Sequence, residues 1–177
     1  PHPSGSLIVA ASFGSQWVDA SGGHTPQFNT AGPSAYSADG ARLWGIDTDT
    51  TTGQYGLLSF SVDAAGQPDW GSGLWVAPLP PMPSGLVIPF FYDLEVDACD
   101  RVYLYVDTDA LTFNQEQVWV FDPVSSDWTL LGDVAMGYGQ SYPRFGRAPG
   151  DEQTLMLRTT YPNGWTRWHA GVGAAVP

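Results

Sequence analysis

Ala98-Cys99-Asp100-Arg101-Val102-Tyr103-Leu104-Tyr105-Val106-Asp107-Thr108-Asp109, followed after a polar loop by Gln117-Val118-Trp119-Val120-Phe121-Asp122, is the stretch on which the fold turns. A polar turn, an apolar run ending in Asp, a polar loop and a second apolar run ending in Asp describe two antiparallel strands joined as a hairpin. Sixty residues earlier the same order stands in Ala38-Asp39-Gly40-Ala41-Arg42-Leu43-Trp44-Gly45-Ile46-Asp47-Thr48-Asp49 and Leu57-Leu58-Ser59-Phe60-Ser61-Val62-Asp63. The Asp-Thr-Asp triplet recurs in register, and each second strand leads through a turn to a tryptophan, Trp70 or Trp128.

Two fainter copies flank this pair. One runs from Ser4 to Ala10 and returns through Gln16-Trp17-Val18-Asp19; the other runs from Asp151 to Leu157 and returns through Trp165-Thr166-Arg167-Trp168. Leading strands are predicted at Ser34–Ser37, Pro89–Val96 and about Tyr142–Gly146, and outer strands near Trp75-Val76 and at Trp128–Leu131. Four short strands per repeat of this length are the plan of a propeller blade. The sequence therefore predicts an all-β chain, a β-propeller or propeller fragment. It forms a single domain of about four blade-like units, at approximately 1–32, 33–88, 89–140 and 141–177.

These residues also carry a family resemblance. Val96-Asp97 through Asp107, continued by Val118-Trp119-Val120-Phe121-Asp122, resembles an NHL-repeat blade, and Ser37-Ala38-Asp39-Gly40 through Asp63 resembles the related YVTN-type repeat. Kelch repeats are the nearest competitor, because Phe121-Asp122-Pro123 precedes Trp128, but the paired glycines of kelch are absent there. At Asp100-Arg101 the turn glycine of the NHL pattern is missing. The resemblance implies a propeller scaffold and no particular chemistry, because such scaffolds host enzymes and inert binding modules alike.

Composition agrees with the pattern. Of 177 residues 43% are hydrophobic and only 14% charged, with 21 Gly, 15 Pro and eight each of Trp, Tyr and Phe. Gly and Pro are spread too evenly to leave room for long helices, and aromatic and β-branched residues favour strands. Eighteen acidic residues against six arginines, with no lysine, give a formal charge of −12. That field repels phosphate backbones and anionic lipid, which argues against nucleic acid as a partner. No apolar run approaches the roughly 20 residues of a spanning helix, so membrane insertion is not expected. Cys99 is the lone cysteine and cannot close an intrachain disulfide. The acidic, lysine-free, Trp-rich composition fits an extracellular or cell-envelope location. Pro1-His2-Pro3 at the start suggests a processed or excised chain.

The first unit has no leading strand before Leu7, which suggests an incomplete ring. Three completions follow: a partner protein, a second copy of this chain, or self-closure, with residues Val172 to Val176 pairing along Ser6–Ala11.

Candidate sites are few. Asp47, Asp49, Asp107 and Asp109 occupy matching repeat positions with hard oxygen ligands suited to calcium, the competing reading being that each caps its own turn. His2, His24 and His169 have no ligand spacing and read as surface or terminal residues. Cys99 lies in a turn between carboxylates, which blunts its reactivity. Trp70, Trp128, Trp44 and Trp119 read as packing residues, whereas Trp17, Trp165 and Trp168 are the candidates for a ligand or partner. No nucleophile elbow, phosphate-cradling loop or zinc-protease motif is present. The leading functional expectation is a non-catalytic binding or assembly module that holds a partner protein. The alternatives are a metal-dependent hydrolase of gluconolactonase-like type, with Glu95, Asp47 and Asp107 as ligands, and a carbohydrate-binding propeller.

Overall fold

In this computed structural model the described residues are 2–11, 14–25, 30, 32–80, 90–107, 116–134, 144–148, 151–160, 163–169 and 175–176. They form an all-β structure whose one helical piece is a 3-10 turn at Trp70–Ser72, capped by Asp69. The chain divides into two compact units, Pro1–Leu79 and Pro80–Pro177.

The first unit opens with a two-stranded antiparallel ladder, β1 (Leu7–Ala11) and β2 (Gly14–Val18). A four-stranded sheet follows in chain order: β3 (Ser34–Tyr36), β4 (Arg42–Thr48), β5 (Tyr55–Ser61) and β6 (Leu74–Pro78). The second unit holds two sheets of the same plan. One is β7 (Phe90–Val96), β8 (Val102–Asp107), β9 (Glu116–Asp122) and β10 (Asp127–Val134). The other is β11 (Arg144–Ala148), β12 (Asp151–Thr160), β13 (Asn163–His169) and β14 (Ala175–Val176). Each of the three is an antiparallel meander of consecutive strands. The predicted leading strands are β3, β7 and β11, and the predicted outer strands are β6 and β10. The last unit, expected to end soon after Trp168, gains β14 as its fourth strand through the pairs Arg167↔Val176 and Trp168↔Ala175. The expectation that residues 172–176 pair along β1 is therefore not met at Ala175 and Val176; residues 172–174 lie outside the described residues.

The second strands of the first two four-stranded sheets are buried at their apolar residues. Leu43, Trp44 and Ile46 of β4 and Val102, Tyr103, Leu104, Tyr105 and Val106 of β8 are at most 3% exposed. Strands covered on both faces read as unbroken apolar runs, and these do. In the first unit Tyr36, Leu43 and Phe60 form a buried cluster against which Ile8, Leu58, Val62 and Trp70 pack. The β1–β2 ladder is joined to that sheet by hydroxyls, with Ser34 Oγ donating to Ser15 Oγ at 2.9 Å and Ser15 Oγ to the Gly32 carbonyl at 3.1 Å.

One turn is used repeatedly. The N–H groups of Gly5, Gly22, Gly40, Gly66 and Asp100 donate to the carbonyls of His2, Asp19, Ser37, Asp63 and Asp97, all at 2.9 to 3.1 Å. Every closing residue has positive φ, from +63° at Asp100 to +92° at Gly22. Asp100 thus fills the place of the absent glycine, because Asp tolerates the left-handed region better than most residues. The first residue caps its own turn: the Oδ1 of Asp19, of Asp63 and of Asp97 each accepts two backbone N–H bonds, at 2.7 to 3.0 Å. The turn beginning at Ser37 is one residue longer, with Ser37 N–H donating to the Arg42 carbonyl.

That extra residue changes the repeat register. Leu43 pairs with Phe60 and Val102 with Phe121, and Phe60 and Phe121 contact Trp70 and Trp128 at ring separations of 5.4 and 5.2 Å. β6 and β10 bulge at matching places, at Val76 opposite the Leu57/Leu58 step and at Leu131 opposite the Val118/Trp119 step. Counted on this frame, Asp107 matches Thr48, not Asp47, so the two Asp-Thr-Asp triplets are offset by one residue. In a strand, one residue is the difference between opposite faces.

Candidate functional site

The structure draws attention to the first ladder. Its entry is the turn His2–Ser6, which has the repeated geometry with a histidine in the capping place: His2 Nδ1 accepts the Ser4 N–H at 3.0 Å. The sequence reads His2 as a surface or terminal residue; it is terminal, but it is only 9% exposed, with its ring 5.2 Å from the Tyr36 ring. It lies against two glycine turns, where a Cβ on Gly40 or Gly66 would come within 2.7 Å of the imidazole. Ser4 Oγ donates to the Ala65 carbonyl at 2.7 Å, and Tyr36 donates to the Gly66 carbonyl at 2.6 Å. Burial, followed in size by opposing and reinforcing effects of Ser6 and Asp63, holds the Tyr36 hydroxyl above its ordinary range. The only sequence signal for this packing was the pair of turn glycines.

Beyond the turn, β1 is anchored on one face and bare on the other. Ile8 packs on the Tyr36, Leu43 and Phe60 cluster, whereas Leu7 and Val9 are 44% and 46% exposed. The outer side of β2 is occupied: Val18 bridges to His24, Thr25 N–H donates to the Trp17 carbonyl, and the Gln16 amide donates to the Thr25 carbonyl. The outer side of β1 pairs with no strand among the described residues.

Other edges carry devices that discourage pairing. β3 is three residues long and follows Pro33, and β6 has its bulge and ends at Pro78. β7 bulges at Tyr92 beside Asp93 and Glu95, and β10 bulges at Leu131 between Asp127 and Asp133. β11 contains Arg144 and Arg147, and β14 has two residues. β1, Leu-Ile-Val-Ala-Ala in a regular ladder, has neither charge nor proline nor bulge.

The densest polar cluster lies at the foot of β8. Asp97, 4% exposed, accepts from Cys99 N–H, Arg101 N–H, the Arg101 guanidinium at 2.7 and 2.8 Å and the Tyr103 hydroxyl at 3.1 Å. Burial is the largest single influence on Arg101 and opposes its charge, but the hydrogen bond to Asp97 and the neighbouring Tyr103, Asp97 and Cys99 together outweigh it and keep the guanidinium protonated. Burial first, then the Asp97 charge, pushes the Tyr103 hydroxyl well above its ordinary range. Every oxygen of Asp97 is committed to its own turn and neighbours, which makes this a structural lock.

The sequence-predicted sites are dispersed. Asp47 Oδ1 accepts the Thr48 N–H, and Asp49 accepts the Thr51 N–H and the Thr52 hydroxyl in its own loop, bonds that hold the Asp49 carboxyl below the usual range. Asp107 ends β8 opposite Glu116, and Asp109 lies outside the described residues. Glu95 pairs with Tyr103 within the second unit, whereas Asp47 belongs to the first. Among the described residues no three of His, Cys, Asp and Glu are grouped to hold a metal. Trp17 sits in β2 opposite Ile8 with its indole N–H buried and unpartnered; Trp165 and Trp168 lie in β13 at Arg158 and Leu155. Trp44 and Trp119 are buried, as packing residues should be. His24 is exposed, His169 ends β13, and Cys99 is an exposed turn residue.

An open groove of about 570 Å³ follows Ser61, Asp63, Gln67, Asp69 and Trp70. Its carboxylates also serve their own backbone, Asp63 at Ala65 and Gln67, and Asp69 at Gly71. Compared with known proteins, the chain matches no family model and no curated sequence.

Proposed function

We propose that this chain is a non-catalytic binding or assembly module built on a β-propeller-type scaffold, and that β1 is where it engages a partner. The observation that carries the reading is the contrast between the first ladder, with two strands, and the three four-stranded meanders. Its outer strand presents Leu7 and Val9 to solvent on one face and a backbone edge that pairs with no strand among the described residues. Apolar strand edges of this kind pair with other strands. The carboxylates argue in the same direction, because those of Asp19, Asp49, Asp63, Asp69 and Asp97 are used to close turns.

The test is sedimentation of the fluorescently labelled chain in an extract of its native source. The reading expects a particle larger than a single chain, and expects Leu7→Lys to return it to the sedimentation of a single chain. Identical sedimentation of both forms in extract and in buffer overturns it.

A further inference from the structure

We propose that the strand which covers β1 is β1 of a second copy of this chain, paired antiparallel about a two-fold axis to give the sheet β2-β1-β1-β2. The inference rests on the reading of β1 as the binding edge and names its occupant.

Three observations select a second copy. Joining two of these ladders gives a four-stranded antiparallel sheet, the size and sense of each of the other three sheets. Neither β1 nor β2 contains a charged residue, so two copies of a chain with net charge −12 meet here without placing charge in the contact. The turn that flanks the start of β1 is that of Asp19, whose Ala20 lies beside Gly5. Parallel pairing would bring two Asp19 turns together. Antiparallel pairing sets them at opposite ends of a five-residue strand of about 17 Å, beyond the screening length of ~8 Å at physiological salt.

The geometry also closes. A two-fold contact uses the same edge on both copies, and the far side of β2 is occupied by His24 and Thr25, so the sheet stops at four strands instead of growing into a fibre. Leu7 and Val9 of both copies fall on one face and shield one another, while each Ile8 stays on its own core.

The experiment is analytical ultracentrifugation of the purified chain alone over a range of concentrations, with amide exchange on the same samples. The expected result is a discrete particle of twice the 19.0 kDa chain mass, in which the Ile8 amide, facing the outer edge of β1, is protected. Val9→Lys, at an exposed position that leaves the monomer core untouched, weakens association by at least ~10-fold. Val124→Lys, at a position 92% exposed in the β9–β10 turn, leaves association unchanged. Circular dichroism confirms that both variants are folded. A monomer at every concentration, a dimer indifferent to Val9→Lys, or an open series of larger particles overturns the inference. A monomer that still forms the Leu7-dependent particle in extract rejects the second copy alone and leaves the binding edge standing, with a different occupant.

Discussion

The turns that precede β1 and β8 share one backbone and are secured by opposite means. At Asp97 a buried carboxylate collects four hydrogen bonds and an Arg101 ion pair, and the left-handed position is filled by Asp100. At His2 the cap is a ring nitrogen, the left-handed position is Gly5, and the ring is seated because Gly40 and Gly66 leave room for it. The repeated feature is thus a hydrogen-bonding pattern, not a residue. One copy is locked by polar saturation inside a four-stranded sheet, the other by steric fit at the head of a two-stranded one. The first region has its partners within the chain; the second ends in an edge that pairs with no strand among the described residues.

This comparison can be broken at either turn. Removing the polar lock with Asp97→Ala leaves a largely buried guanidinium and the N–H groups of Cys99 and Arg101 without an acceptor, so a loss of about 3 kcal/mol in urea unfolding is expected. A loss below about 1 kcal/mol would show that the cluster is not what holds the turn. At the other turn, Gly66→Ala drives a Cβ onto Ser6 Oγ and the His2 ring from a backbone at φ +84°, and about 2 kcal/mol should be lost. The effect should spread to β1, so that amide exchange quickens at Leu7–Val9 and remains slow in β8. Equal quickening in both strands would mean that the two turns are not independent supports.

A pH titration sharpens the contrast. The Tyr103 hydroxyl is held above its ordinary 10.0 in the folded chain, so its contribution to stability is complete below pH 10 and is lost as the pH rises beyond. Tyr36 has the same sign. The unfolding free energy should therefore fall on the alkaline side, and Tyr103→Phe should make that limb shallower without abolishing it. The smallest expected effect is a gain: Asp100→Gly relieves the left-handed strain at φ +63° and should stabilise by roughly 0.5 kcal/mol, net of the added chain entropy.

Strand positions were legible because they rest on local features. Apolar runs such as Val102–Val106, polar turns beginning at Asp63 and Asp97, and tryptophans after the second strand locate a hairpin without tertiary information. Register was not, because the additional residue in the Ser37–Arg42 turn shifts everything after it, and the matching triplets at Asp47 and Asp107 disguise the shift. The turn at Asp100 was read as a departure because a motif specifies glycine where the backbone requires only positive φ. The burial of His2 is not legible for a third reason: it depends on Gly40 and Gly66, far along the chain, and no local pattern connects them. The bare edge was half legible, since the lack of charge in Leu7–Ala11 is visible in sequence, whereas the bulges and prolines guarding the other edges become meaningful only beside their partner strands.

Native-state amide exchange of β1 against β8, followed as the protein is diluted through its dissociation range, measures the central claim directly. Covered by a second copy, the Ile8 amide, which faces the outer edge of β1, is slow in concentrated solution and becomes fast on dilution, while the Leu7 and Val9 amides, which face β2, and Val102 to Val106 stay slow throughout. Exchange at Ile8 that is independent of concentration, whether fast or slow, contradicts the account.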